Sequence, residues 1–233
     1  MSALAAPGRG ARSWSPVVEA ALGLRDPDQD LIIFKEDSHY QRVLVLHDGP
    51  KRREMHLDKL LHSKVDLDDP LDLKYEYEGV YAQVTRHLRP SGPVSALFVG
   101  DGGDVFPRYM EIVHPGSYLE VIEIDPVVTK AAFEAFGVPA SSTIQHFAMD
   151  ARNRVADLIR DKRRGEQVPS FDFIYGDAFS DFSVPYHLTT LEYTQSLAEL
   201  MTDDGVYLLN LIDMLEIGNF LNAVVNTCRQ VFP

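Results

Sequence analysis

The feature that most constrains the fold of this chain is a regular alternation of apolar and amphipathic segments after Val94. Short apolar segments typical of strands recur at 94–99, 118–124, 143–148, 171–176 and 204–211. Segments with helical spacing lie between them, at about 104–114, 126–136, 151–163 and 187–201. Strands that alternate with helices form a parallel sheet with helices on both faces and right-handed crossovers. The sequence therefore predicts a doubly wound α/β sheet.

The chain before this body has a different character. Residues 1–29 are rich in Gly, Pro, Ala and Arg, and we predict a flexible tail there. Residues 30–75 contain apolar runs separated by turn signals such as the Asp-Gly pair in "HDGP". We predict a small antiparallel β-domain of two or three strands, ending near residue 60. Residues 76–233 form the predicted Rossmann-like domain, which opens with a helix at 75–88.

The C-terminal segment has an unusual pattern. Residues 214–232 have helical spacing, with an apolar face that includes Leu215, Phe220 and Val224, and no strand follows them. We therefore expect the last strands of the sheet to be missing and the chain to be incomplete at its C-terminus.

Composition limits the functional classes. The single cysteine, Cys228, excludes an intrachain disulfide framework, and the scattered histidines suggest no metal site. No apolar run approaches the length of about 18 residues that a transmembrane helix needs, so we expect no membrane span and a cytoplasmic location. The formal charge of −13 would repel nucleic acid and attract cationic ligands, although it could simply favour solubility.

A glycine turn follows the first strand of the main body, in "LFVGDGGD" (97–104). Gly100 and Gly102 would let the backbone approach a ligand without a Cβ in the way. The dinucleotide pattern G-x-G-x-x-G is only half met, because Val105 occupies its last position. Asp101 and Asp104 would also repel a pyrophosphate. A ligand without phosphate and with a positive centre suits this turn better.

Acidic residues follow the next two strands. Glu123 ends the second strand, where a carboxylate can accept both hydroxyls of a ribose. Asp125 could contact the ligand or cap the next helix. Asp150 follows the third strand and could accept the exocyclic amine of adenine or cap a helix. Because the carboxyl ends of parallel strands meet at one crevice, these acids together suggest an adenosyl group that carries a sulfonium.

The motifs "VGDGGDVFPRY", "VIEIDP", "MDAR" and "YGDAFSDFSVPYHLTTLEY" resemble those of spermidine synthase-like proteins, the polyamine aminopropyltransferases. The resemblance covers about residues 31–232. It implies a class I S-adenosylmethionine-type Rossmann-like fold preceded by a small N-terminal β-domain. It also implies a homodimer that uses decarboxylated S-adenosylmethionine, without a metal, to transfer an aminopropyl group to a small cationic amine such as putrescine.

The resemblance also assigns roles to residues. Asp177 would position and deprotonate the attacking amine. Residues implied in donor binding are Glu123 for the ribose, Asp150 for the adenine, and Gln41, Gly100, Asp101, Gly102 and Ala151. Residues implied in amine binding are Tyr40, Asp104 and Asp181. His187, in "VPYHLTT", is interpreted as part of a gate over the substrate rather than as a catalytic group.

Two other functions stay open. A methyltransferase that uses S-adenosylmethionine would need the same adenosyl pocket, but the acidic turn at 100–104 should disfavour the carboxylate of that donor. An inactive adenosyl-binding homologue is the other alternative, because the acids of "GDGGD" and "DAFSD" are displaced from the family's usual positions.

Overall fold

The computed structural model of the chain describes residues 31–100, 102–179, 184–213 and 218–232. Within these ranges, a four-stranded antiparallel sheet precedes a five-stranded parallel sheet. The first sheet consists of β1 (Ile32–Asp37), β2 (Arg42–His47), β3 (Arg52–Leu57) and β4 (Leu60–Asp66), paired in chain order.

The predicted extent of the first sheet was wrong. The sequence suggested two or three strands ending near residue 60, but β4 continues to Asp66. Polar side chains at His62, Ser63 and Lys64 hide the alternation in this segment. Ser63 and Val65 nevertheless face the buried side of the sheet. The fourth strand matters for the site, because its first residues, Leu60, Leu61 and His62, line the cavity described below.

The rest of the chain builds the parallel sheet and its helices. The strands are β5 (Ser95–Val99), β6 (Tyr118–Glu123), β7 (Gln145–Ala148), β8 (Phe171–Gly176) and β9 (Met201–Leu209). The helices are α1 (Glu76–Leu88), α2 (Val105–Val113), α3 (Pro126–Ala135), α4 (Ala151–Arg163), α5 (Leu191–Leu200) and α6 (Phe220–Cys228). A short 3₁₀ turn at Tyr186–Leu188 precedes α5. The strand order is β7-β6-β5-β8-β9, and all pairs are parallel. The predicted doubly wound α/β fold is confirmed.

Both faces of the three central strands, β5, β6 and β8, are buried, as their continuous apolar sequences require, whereas the edge strands β7 and β9 are partly exposed. In β5, Leu97 and Val99 face one helical layer, whereas Ala96 and Phe98 face the other. The first layer includes Val155 and Leu158 of α4 and Leu197 of α5. The second includes Tyr81 of α1 and Phe106 and Met110 of α2. This packing holds the strand ends in fixed positions.

The chain order of the strands reverses at β5, which lies between β6 and β8. A crevice forms outside the carboxyl ends of the strands at such a switch point. The first sheet packs beside this crevice: Phe34 and Met55 share a core cluster with Val128 and Phe136 at α3. The Ser63 hydroxyl also donates a hydrogen bond to the carbonyl of Gly102.

Helix α6 is shorter than the predicted segment 214–232. It packs on α5, and its apolar face is only partly covered. Val224 is buried and Phe220 packs against the core, whereas Leu221 and Val225 are largely exposed. Leu215, also assigned to this face, lies outside the described residues.

In the part of the chain that the structure describes, none of the helices has both the length and the apolar composition to cross a bilayer.

Candidate active site

A cavity of about 430 Å³ lies at the carboxyl ends of the parallel strands. Residues at the ends of the five strands line it, together with the adjoining ends of β3 and β4, the start of α1 and the 3₁₀ turn before α5. The lining residues from the strand ends are Gly100, Gly102, Ile122, Glu123, Ile124, Met149, Asp150, Ala151, Asp177, Ala178, Phe179, Asn210 and Ile212.

The glycine turn needs a residue without a side chain at Gly100. This residue has a φ of 72°, in the left-handed region. A Cβ at this position would lie 2.7 Å from Cα of Ala178 and 2.9 Å from the carbonyl oxygen of Asp177. The missing side chain therefore allows the β5 turn to pass close to the β8 end. Gly102 also lines the cavity, whereas Asp101 lies outside the described residues.

Glu123 lies at the β6 end and is almost buried. Its Oε1 accepts a hydrogen bond from the backbone N–H of Asp125 at 2.8 Å, so its carboxylate is held at the cavity wall. Gln41 also lines the cavity, and its Nε2 lies 3.4 Å from Oδ2 of Asp125.

Asp125 has a structural role in this arrangement. Its Oδ1 accepts from the N–H of Val127 at 3.0 Å and so caps α3, while its Oδ2 accepts from the hydroxyl of Ser38 at 2.6 Å. Asp125 is fully buried and is not one of the described residues that line the cavity. Of the two roles that the sequence left open, the structure shows the helix cap. The same carboxylate ties the β1–β2 loop to the parallel sheet.

Asp150 caps a helix and also lines the cavity, while its predicted role in adenine binding stays a prediction. Its Oδ1 accepts from the N–H of Asn153 at 3.0 Å and caps α4, and the residue also lines the cavity. Its Oδ2 lies 2.8 Å from Nε2 of His187, on the 3₁₀ turn. Arg152 holds that turn in place, because it donates to the carbonyl of His187 at 2.5 Å and to the hydroxyl of Thr190 at 2.8 Å.

Asp177 follows β8 directly and lies deep in the cavity wall. Its Oδ2 accepts from the Tyr77 hydroxyl at 2.7 Å, and its Oδ1 accepts from Nδ2 of Asn210 at 2.9 Å. Burial raises the pKa of Asp177 above its usual range, and these two hydrogen bonds only partly oppose that shift. The pKa of Tyr77 is also raised, chiefly by burial and then by the negative charge of Asp177. The tyrosine is therefore a donor to the carboxylate rather than a proton source.

Sequence reasoning missed Tyr77 and Asn210 as site residues. Asn210 could have been found, because it follows the last parallel strand just as Asp177 follows β8. Tyr77 lies at the start of α1, 100 residues before its partner, and only the packing of α1 on the sheet brings them together.

Other predicted site residues lie elsewhere. Asp104 is completely buried at the start of α2, has a φ of 62°, and its Oδ2 lies 2.8 Å from Nε2 of His146. Tyr40 is 56% exposed. Neither is among the described residues that line the cavity. The roles predicted for them in amine binding therefore have no support from their positions. Asp181 lies outside the described residues.

Within the described ranges, no group of three or more His, Cys, Asp and Glu side chains is arranged to hold a metal ion.

Known proteins with similar sequences or folds fall into two groups. No protein-family model matches the chain. The polyamine aminopropyltransferase of Vibrio vulnificus is 28% identical over 88% of this chain, which spans 66% of that protein's length. The crystal structure of a probable spermidine synthase from Corynebacterium glutamicum has a TM-score of 0.74 and 22% identity, over 86% of this chain and 71% of that one.

The second group consists of methyltransferases. The N-terminal histidine N-methyltransferase of Emericella nidulans is 30% identical over 60% of this chain and 23% of its own length. The structure of human methyltransferase-like protein 13 in complex with SAH has a TM-score of 0.54 and 27% identity, over 60% of this chain and 64% of that one.

The fold is thus the Rossmann-like α/β fold that spermidine synthases and methyltransferases share. Within this class, the similarity that extends over most of the chain, including the antiparallel sheet, is to spermidine synthase-like proteins. The resemblance noted from the sequence motifs is confirmed at this level.

Proposed function

We propose that the cavity binds the adenosyl group of a sulfonium donor, and that the chain transfers an aminopropyl group from decarboxylated S-adenosylmethionine to an amine. The observation that carries this proposal is the convergence of Glu123, Asp150 and Asp177 in one cavity, at the ends of three parallel strands. Two of these acids suit the donor nucleoside, and the third suits the attacking nitrogen.

The nucleoside would lie at the β6 and β7 ends. The Glu123 carboxylate, held by the backbone N–H of Asp125, would accept the two ribose hydroxyls. Asp150 would accept the exocyclic amine of the adenine. Ala151 and Ile124, which line the same part of the cavity, would contact the faces of the base.

The amine would lie beside Asp177. Its nitrogen attacks the carbon bonded to the positive sulfur, the carbon–sulfur bond breaks, and its electron pair stays on sulfur to give neutral methylthioadenosine. If the amine enters as an ammonium, it first gives a proton to Asp177, so that its nitrogen has a free electron pair. If it enters neutral, the ammonium formed by the attack gives its proton to Asp177. A raised pKa makes this carboxylate a stronger base than an exposed aspartate. Tyr77 and Asn210 fix its orientation.

Transfer of a methyl group from S-adenosylmethionine is the second candidate. The methyltransferase relatives favour it, and so does the position of Asp104. The sequence argument against a carboxylated donor used the acids of the 100–104 turn. Since Asp104 is buried against His146 and does not line the cavity, that argument now depends on Asp101 alone.

Incubation of the purified chain with each donor and a set of amines separates these functions. Methylthioadenosine together with an aminopropylated amine supports the first proposal, whereas S-adenosylhomocysteine together with a methylated product supports the second. Binding of methylthioadenosine without turnover of either donor would identify an inactive homologue. If methylthioadenosine does not bind in calorimetry, the adenosyl site itself is wrong.

The resemblance also implies a homodimer, which we propose for this chain. Light scattering of the purified protein tests this, and a monomer at micromolar concentration would refute it.

A further inference from the structure

The carboxylate proposed for the adenine amine already has a partner inside the cavity. Asp150 Oδ1 accepts from the backbone N–H of Asn153 and belongs to the cap of α4. Oδ2 is therefore the oxygen that remains for a ligand, and Nε2 of His187 lies 2.8 Å from it. Both side chains line the cavity. In the free protein, a side chain of the chain itself thus occupies the acceptor that an adenine amine would use.

The backbone of the 3₁₀ turn is held by bonds that do not involve the imidazole. Arg152 donates to the carbonyl of His187 at 2.5 Å and to the hydroxyl of Thr190 at 2.8 Å. Rotation of the His187 side chain about its own bonds is therefore enough to release Asp150, and the turn can stay in place. The contact has two states, with the imidazole on Asp150 or away from it.

The imidazole is in contact with solvent and can exchange a proton with it, since its side chain is 33% exposed and that of Asp150 is 25% exposed. The turn packs against α4 and α5. The charged or titratable groups that these three elements place around it, among the described residues, are Asp150, Arg152, Tyr186, Glu192 and Tyr193. Of these, Asp150 is in hydrogen-bond contact with the imidazole, so the charge of His187 acts most directly on Asp150.

The strength of this contact depends on pH. Histidine side chains change charge between about pH 5 and 8. A protonated imidazole donates to a carboxylate roughly twice as strongly as a neutral donor does. An adenine amine is a neutral donor, so it competes less well for Asp150 when His187 is charged. A nucleoside that displaces the imidazole also separates its charge from the carboxylate, which favours loss of the proton.

We propose that His187 makes nucleoside binding sensitive to pH: its protonated imidazole occupies Asp150 in competition with the adenine amine, and its deprotonation makes the site available. This inference rests on the proposed adenosyl site and concerns the regulation of that site. It applies to both candidate donors, because they carry the same adenine. The affinity for nucleoside is highest above the range in which the imidazole titrates and falls as the pH falls through that range.

Calorimetry of the intact chain with methylthioadenosine tests this inference without turnover. We expect binding about tenfold weaker at pH 5.5 than at pH 8, the difference between a charged and a neutral hydrogen bond to Asp150. At intermediate pH, heats measured in two buffers with different enthalpies of ionisation should show that binding releases protons. An affinity that is constant, or that rises as the pH falls, would overturn the inference.

Two glutamine variants separate His187 from the other titrating groups of the cavity. His187→Gln supplies a neutral donor that does not titrate, so the variant should lose the pH dependence and the proton release. His62→Gln is the matched control, because it removes another histidine that lines the cavity and should keep the behaviour of the parent. Glu123 and Asp177 are present in both variants. Retention of the pH dependence in His187→Gln, or its loss in His62→Gln, would contradict the role assigned to His187.

Failure of the inference differs from failure of the proposed function. If methylthioadenosine does not bind at any pH in this range, the adenosyl site is wrong and both fail. If methylthioadenosine binds equally well at each pH, the proposed function stands and only the role of His187 fails.

Discussion

At the scale of single residues, the site depends on how the carboxyl group of Asp177 is held. An aspartate buried in the wall of a cavity would ordinarily be neutral, since burial disfavours the charged form of its carboxyl group. The hydrogen bonds from Tyr77 and Asn210 favour the ionised form and oppose this effect. The balance keeps the pKa of Asp177 raised, which suits a group that must take a proton from an amine.

Asp177→Asn should abolish turnover and change the pH dependence of stability. In the parent, the folded state holds the Asp177 proton more tightly than the unfolded state does. The stability due to this proton is therefore complete below about pH 4 and is lost as the pH rises through the raised pKa. Asparagine does not titrate, so the melting temperature of the variant should increase relative to that of the parent as the pH rises. Thermal denaturation across this range measures it; a difference that is constant with pH would contradict the raised pKa.

Tyr77→Phe removes one donor from the Asp177 carboxylate. The pKa of Asp177 should rise further, so the acidic limb of the pH–rate profile should move to higher pH. At neutral pH we expect the single-turnover rate to fall by about tenfold, the value of one hydrogen bond to a charged group. Tyr81→Phe is the matched control, because the Tyr81 hydroxyl donates to the carbonyl of Gly176 instead. Equal shifts in both variants would show that Tyr77 has only a packing role.

At the scale of elements, the 3₁₀ turn before α5 lines the part of the cavity where we propose that the nucleoside binds. Arg152 fixes the turn, and His187 uses the Asp150 oxygen that an adenine amine would need. An adenine amine bound at the same Asp150 oxygen, as we propose, would compete with His187 for it. The gate expected from "VPYHLTT" is consistent with this geometry and stays a prediction.

His187→Ala should strengthen nucleoside binding. With the imidazole removed, Asp150 can accept the adenine amine without first losing a partner. One net hydrogen bond of about 1 kcal/mol corresponds to about fivefold tighter binding of methylthioadenosine in calorimetry. Tyr186→Ala, at an exposed position on the same turn, should leave the affinity unchanged. Weaker binding by His187→Ala would instead mean that the imidazole contacts the ligand.

At the scale of the whole molecule, the two sheets share a core cluster of described residues. Phe34, Val43 and Met55 of the first sheet pack with Ala131 and Phe136 at α3. The hydrogen bond from Ser38 to Asp125 joins the same parts of the chain. We therefore expect the β1–β4 sheet and the parallel sheet to unfold together.

Phe136→Ala tests this coupling. Loss of a buried phenylalanine should lower the free energy of unfolding by about 3–5 kcal/mol, with the amides of both sheets becoming exposed in one transition. Urea denaturation followed by hydrogen exchange and mass spectrometry measures both quantities. Phe133→Ala, at a partly exposed position on the same helix, should cost much less. Selective exposure of β1–β4 would show that the sheets unfold separately.

The sequence by itself determined the doubly wound sheet and the strand-end positions of Gly100, Glu123, Asp150 and Asp177. These follow from periodicity and turn residues, which are local properties of the chain, and from the rule that parallel strands end at one edge. Such patterns fail where polar side chains interrupt the alternation, as they do in β4.

Only the tertiary structure decided which side chains meet. It joined Tyr77 and Asn210 to Asp177, turned Asp104 away from the cavity to His146, and placed His187 on Asp150. It also placed the leucines at the adjoining ends of β3 and β4 against the cavity. These contacts join residues that are 33 to 100 positions apart. They depend on how helices and sheets pack, and the spacing of residues along the chain does not determine that packing.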